Sequence, residues 1–238
     1  MNFGGKNILV IGGSSGIGLS LIKLLISNGA TVYNISRTVS TEWPEDVHHL
    51  TLDVLGDVSP LVNFVPEQLH GLVYSVGSIN LKPFTRLTEE DFLNDYRINV
   101  LGAAKVIQLA IKSLKASQSA SIVLISSVAA RTGMNFHGSI SAAKGAVEGM
   151  ALSLAAELAP NHIRVNVVAP SLTDTPLAQN LLNTPERKEA SNKRHPLGKY
   201  GSPEDISSAI AFLLAEETAW MTGQVIGIDG GLGKLKTN

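Results

Sequence analysis

Cysteine is absent from the 238 residues. That excludes disulfides, thiolate nucleophiles and thiolate-bound metals. Charge is also sparse. Charged residues are 16% of the chain, the formal net charge is -1, and no basic run occurs. The electrostatic footprint of a nucleic-acid binder is therefore missing. No stretch approaches the ~20 apolar residues that a membrane helix needs. Residues 1–6 run straight into a strand-like segment and leave no room for the apolar core of a signal peptide. These absences lead us to expect a soluble, cytoplasmic protein with no nucleic-acid or membrane partner. A metal site is not expected either. His48 and His49 are adjacent at the start of a strand-like run, so their side chains point to opposite faces.

What is present is an alternation. Short β-branched runs at residues 7–11, 31–35, 48–52, 72–76, 121–125, 164–168 and 225–228 read as strands. Amphipathic stretches near 17–28, 57–65, 89–115, 139–158 and 203–215 read as helices. Ile17, Leu21, Leu24 and Leu25 recur at helical spacing and form one apolar stripe. Ser202 and Pro203 read as the cap and first residue of a helix. The pattern predicts an α/β fold, a doubly wound sheet of about seven parallel strands with helices on both faces. The length suits a single domain spanning 1–238. Residues 171–200 are the least regular, with prolines at 176, 185 and 196. They are expected to overhang the strand ends as a substrate-covering flap.

The run Gly12-Gly13-Ser14-Ser15-Gly16-Ile17-Gly18 follows the first strand and opens the first helix. Glycine lets the backbone turn sharply and come close to a pyrophosphate. A helix amino end adds free N–H groups and positive potential. A tight turn with no ligand is the plainer alternative, but the spacing and the strand–turn–helix context favour a dinucleotide. The second strand ends Ile35-Ser36-Arg37 with no carboxylate to take the ribose hydroxyls. A hydroxyl and a guanidinium suit a 2′-phosphate instead. The expected cofactor is NADP(H), with NAD(H) as the alternative; a solvated surface arginine is the plainer reading of Arg37.

The segment Ser126-Ser127 … His137-Gly138-Ser139-Ile140-Ser141-Ala142-Ala143-Lys144 resembles the catalytic stretch of the short-chain dehydrogenase/reductase family. The family places serine about a dozen residues before Tyr-x-x-x-Lys. Ser127 and Lys144 fit, but Ile140 occupies the tyrosine position. The resemblance runs over about residues 3 to 232 and is closest in flavour to 3-oxoacyl-carrier-protein reductase. It implies a Rossmann-type sheet of order 3-2-1-4-5-6-7. It also implies cofactor contacts at Gly12, Ser14, Ser15, Gly16, Ile17, Gly18, Ser36, Arg37, Asp53, Val54, Gly77, Asn99, Lys144, Pro170, Thr173 and Thr175, with Asn99 holding a water beside Lys144. Three departures stand out. Ile11 replaces a threonine that would tie the glycine loop, Tyr74 replaces the first asparagine of the Asn-Asn-Ala-Gly motif, and Ser171 replaces a glycine.

In the family the tyrosine protonates the substrate oxygen, and its pKa is lowered by the lysine cation. Isoleucine has no proton to give. His137, seven residues before Lys144, mimics the tyrosine spacing of enoyl-carrier-protein reductases, which carry an apolar residue at the fourth position. It is a speculative donor; an ordinary loop histidine is the alternative. Tyr74 is a second candidate, or else it fills space. Ser139 and Ser141 are weak acids, and Ser139 suits a helix cap. The expected function is an atypical oxidoreductase acting on a small or acyl-thioester substrate. The alternative is a catalytically silent NADP-binding homologue serving as partner subunit or sensor. The resemblance also implies a homotetramer, with a homodimer next. Nothing in the flap names a substrate.

Overall fold

Seven parallel strands form one sheet in the order β3-β2-β1-β4-β5-β6-β7. They are β1 (Asn7–Ile11), β2 (Thr31–Ser36), β3 (His48–Thr51), β4 (Gly71–Tyr74), β5 (Ala120–Ile125), β6 (Ile163–Pro170) and β7 (Val225–Ile228). The structure is a computed structural model and describes residues 1–236. The last two residues of the expected 1–238 span lie outside the described residues. The strand order is the one the resemblance implied.

Strand alternation splits the core in two. Ile8 and Val10 face one side of β1, and Leu9 and Ile11 the other. On the first side α1 (Gly16–Ser27) packs Leu21, Ile22 and Leu25 beside Ile206, Ile210 and Leu213 of α7 (Pro203–Leu214). The cap at Ser202 is a full capping box, with Ser202 and Asp205 each accepting the other's backbone N–H. The remaining helices of these elements are α2 (Leu61–Phe64), α3 (Glu89–Tyr96), α4 (Gly102–Ala116), α5 (Gly138–Leu158) and α6 (Pro185–Arg194). On the second side α4 and α5 cover the sheet with Val106, Ala110, Leu114, Val147, Ala151 and Leu158.

Three elements differ from the sequence expectation. The helix expected over 57–65 is the single turn α2. The continuous helix over 89–115 is interrupted by a π-helical stretch, Arg97–Leu101, between α3 and α4. Within it the Ile98 carbonyl accepts from the Tyr74 hydroxyl at 2.6 Å. A Cβ on Gly102 would stand 2.2 Å from that hydroxyl, so glycine is needed there. Residues 171–200 are also more regular than expected, containing a 3-10 turn at Pro176–Leu181 and then α6. Tyr74→Phe would remove the hydrogen bond to the half-buried Ile98 carbonyl. It is expected to lower stability by about 0.5–1.5 kcal/mol, read as a lower urea midpoint at unchanged slope.

Candidate active site

The carboxyl ends of β1, β2, β4, β5 and β6 open onto two connected clefts. The crevice straddles the switch in strand order between β1 and β4, where open α/β sheets bind ligands. One cleft, of about 370 Å³, is lined by Gly12, Ser14–Ile17, Ser36, Arg37, Asp53 and Val54. The other, of about 680 Å³, is lined by Ser127, His137, Ile140, Lys144, Pro170, Thr173, Leu181 and Arg194. Ile17, Ser75–Gly77, Thr175 and Leu177 belong to both. Asn99 is buried behind this seam rather than on its surface.

The glycine loop is built for close approach. Gly12 has φ +90°, and a Cβ on Gly18 would lie 2.3 Å from the Gly12 carbonyl oxygen. Ser15 caps α1 in an extended conformation without a side-chain bond, so the first amides of α1 stay available to an anion. With Ile11 in the threonine position, the loop is held by two other residues. Asn34 Oδ1 accepts from the Gly13 N–H at 2.9 Å, and Trp43 Nε1 donates to the Gly13 carbonyl at 2.8 Å. Neither was singled out from the sequence, because each lies at least 21 residues away.

Asn34 Nδ2 donates to Ser36 Oγ at 3.0 Å, and Ser36 in turn donates to the Thr38 carbonyl at 2.8 Å. Ser36 thus shapes the turn that presents Arg37, and the Arg37 guanidinium remains the group suited to a phosphate. Asp53 accepts from the Leu55 N–H at 3.0 Å, and beside it Val54 is buried.

Around residue 77 the chemistry converges. Ser127 stands in extended backbone just past β5, and its Oγ accepts from the Ala129 N–H at 3.2 Å. Its hydroxyl proton is left for the cleft. Lys144 is 7% exposed, and Nζ donates to the Ile125 carbonyl at 2.8 Å. Burial pushes its pKa down to about 8, against the opposing effect of the Asp95 charge. A Cβ on Gly77 would lie 3.3 Å from Asn99 Oδ1 and 3.4 Å from Lys144 Nζ. Asn99 Oδ1 is buried without a hydrogen-bond partner, an acceptor waiting for a donor. The loop, Arg37, Asp53 and this open corner fit a nicotinamide dinucleotide. When bound, that group supplies hydride.

The proton donor is less well provided for. Ile140 is 5% exposed and walls the cleft one helical turn before Lys144. His137 also faces the cleft, at the cap position of α5. Its Nδ1 lies 2.6 Å from the Asn135 carbonyl, so in a neutral ring Nδ1 carries the proton and Nε2 has none to donate. Tyr74 is buried in the core with its hydroxyl turned away to Ile98. Burial, reinforced by the Asp53 carboxylate, pushes its pKa well up. It lines neither cleft. Ser139 is fully buried, and Ser141 Oγ donates to the Ala129 carbonyl at 2.9 Å.

Thr175 Oγ1 caps the 3-10 turn Pro176–Leu181, and Thr173 Oγ1 donates to the Ser171 carbonyl at 3.0 Å. Ser171, in the glycine position, bonds His195 Nε2 at 2.8 Å, while His195 Nδ1 bonds the Ser191 carbonyl at 2.7 Å. This pins α6 to the end of β6. His195, separated from Ser171 by 24 residues, carried no signal in the sequence. Among the described residues no group of three or more His, Cys, Asp or Glu could hold a metal ion. No helix among them is long and apolar enough to cross a membrane.

A family model described as enoyl-(acyl carrier protein) reductase matches residues 12–233. A tropinone reductase homologue of Arabidopsis thaliana is 37% identical over 96% of this chain and 93% of that protein. The 3-oxoacyl-[acyl-carrier-protein] reductase of Thermotoga maritima is 34% identical over 98% of this chain and 99% of its own length. Among solved structures, a short-chain type dehydrogenase/reductase from Mycobacterium ulcerans superposes with a TM-score of 0.89 at 28% identity, covering 98% of this chain and 91% of that one. ElxO with NADP bound gives a TM-score of 0.87 at 28% identity, covering 95% and 98%. The chain belongs to the short-chain dehydrogenase/reductase family of oxidoreductases.

Proposed function

We propose that this protein is an NADP(H)-dependent oxidoreductase that reduces a carbonyl or enoyl group on a small or acyl substrate, slowly for want of a tyrosine. One observation carries the reading. Lys144 Nζ and the unpartnered Asn99 Oδ1 meet at Gly77, on the seam between the two clefts. Ser127 would orient the substrate oxygen by hydrogen-bonding it through its free hydroxyl. Lys144 and Asn99 would hold the sugar of the cofactor and a water. NADP bound to ElxO and the acyl-carrier description of the family model support this choice of cofactor and substrate. The assembly we propose is the family's homotetramer, or a homodimer, with residues 171–200 covering the substrate.

A second reading rests on Ile140. Its apolar wall where an acid is needed favours a silent NADP-binding subunit or sensor. Turnover separates the two. NADPH oxidation is to be followed against ketones, oxoacyl thioesters and enoyl thioesters. Measurable turnover of one class supports the enzyme. Tight NADPH binding with no turnover of any class supports the silent protein. For the cofactor, Arg37→Ala is expected to weaken NADPH about ten- to a hundred-fold, the worth of a charged hydrogen bond. NADH binding, titrated by fluorescence, should barely change.

A further inference from the structure

On α3, which packs against α5, lies a charged group that the expected site did not include. Asp95, in the last turn of α3, is 2% exposed. Its Oδ1 accepts from the Ser78 hydroxyl at 2.6 Å. Its Oδ2 is buried and has no hydrogen-bond partner. Ser78 Oγ also accepts from Asn99 Nδ2 at 3.0 Å, and the same amide donates to the Asp95 carbonyl at 2.7 Å. Asp95, Ser78 and Asn99 therefore form one buried cluster ending in two open acceptors.

A carboxylate so deeply buried needs a countercharge. The Asn99 end of this cluster meets Lys144 Nζ at Gly77, where an added Cβ would lie 3.3 Å from Asn99 Oδ1 and 3.4 Å from Nζ, and the nearby Asp95 charge favours the cationic lysine. Other titratable groups on this part of α5 are already engaged. Glu148, one turn further along α5, bonds Arg131 at 2.7 Å and Ser126 at 2.8 Å. His137, at the start of α5, is tied to Asn135. Lys144 itself commits one of its three ammonium hydrogens to Ile125. The others are left for the corner at Gly77, where the cleft begins.

We propose that Asp95 is a positioning residue that keeps Lys144 cationic, and that the Lys144 ammonium takes over the tyrosine's task of protonating the substrate oxygen. The inference rests on the reductase reading. Bound NADPH, oxidised to NADP, would supply the hydride for the new C–H bond, and the carbonyl π pair would move to oxygen. One Lys144 N–H bond breaks as the O–H bond forms. The neutral amine then regains its proton from water in the cleft. An acid works best when its pKa lies near the working pH, and burial brings Lys144 towards that range.

The test is Asp95→Asn, which removes the charge and keeps the shape. In the full chain labelled with 13C-lysine, the Lys144 ε-carbon is titrated by NMR and assigned with Lys144→Met; no cofactor or substrate is needed. The midpoint is expected to fall, because Asp95 raises it. The alkaline limb of NADPH-dependent ketone reduction should fall with it, about tenfold in rate for every pH unit by which the midpoint drops. Ser78→Ala, which keeps both charges, should leave the midpoint closer to wild type than Asp95→Asn does. An unchanged midpoint in a folded Asp95→Asn protein overturns the role of Asp95. Turnover that survives Lys144→Met but is lost in His137→Ala overturns Lys144 as donor. No wild-type turnover at all defeats the reductase reading and the donor step with it, while the titration still decides whether Asp95 holds the lysine charge.

Discussion

Ile140→Tyr is expected to raise the rate of NADPH-dependent ketone reduction by about 10²–10⁴-fold, the usual worth of a well-placed general acid. Ile140 lies on the cleft wall, one turn from Lys144 on the same helix face. A phenol there would sit beside a buried cation, which lowers its pKa towards the working range. The ring is larger than the side chain it replaces, so a loss of about 1–3 kcal/mol in stability is expected from crowding. Steady-state kinetics across pH and a urea melt measure the two effects separately. A folded variant with no gain would show that the cleft fails to place a carbonyl against position 140.

The second large effect concerns cofactor binding. In Gly18→Ala the new methyl group would stand 2.3 Å from the Gly12 carbonyl oxygen, well inside contact distance. The obstacle is backbone, so either the loop or the first turn of α1 must shift. Crowding of this kind costs about 1–3 kcal/mol, and the distortion falls on the amides that would hold the phosphates. NADPH affinity is expected to drop about ten- to a hundred-fold, measured by fluorescence titration. Unchanged affinity would mean that the phosphates bind elsewhere.

Much of this was legible in the chain because it is local. Strand and helix periods in the first half of the sheet, the glycine spacing from 12 to 18 and the Ser202 cap are written in neighbouring residues. The loss of tyrosine at 140 could be read directly by counting back from Lys144. What was misjudged depends on distance. The π turn at Arg97–Leu101 follows no local pattern and is paired with a hydroxyl on β4. Tyr74 therefore serves the fold rather than the cleft.

The sequence by itself determined the strand order, through its resemblance, and the glycine loop and the missing acid, through residue identity. Only the tertiary structure decided which side chains hold that loop, where Tyr74 and His137 point, and that Asp95 is buried and bonded through Ser78 to Asn99. The physical reason is burial. Asn34, Trp43, Asp95 and His195 are ordinary polar or aromatic residues until the packed sheet removes water from around them. Each must then find its partner far along the chain, and the electrostatics of the site follow from those pairings.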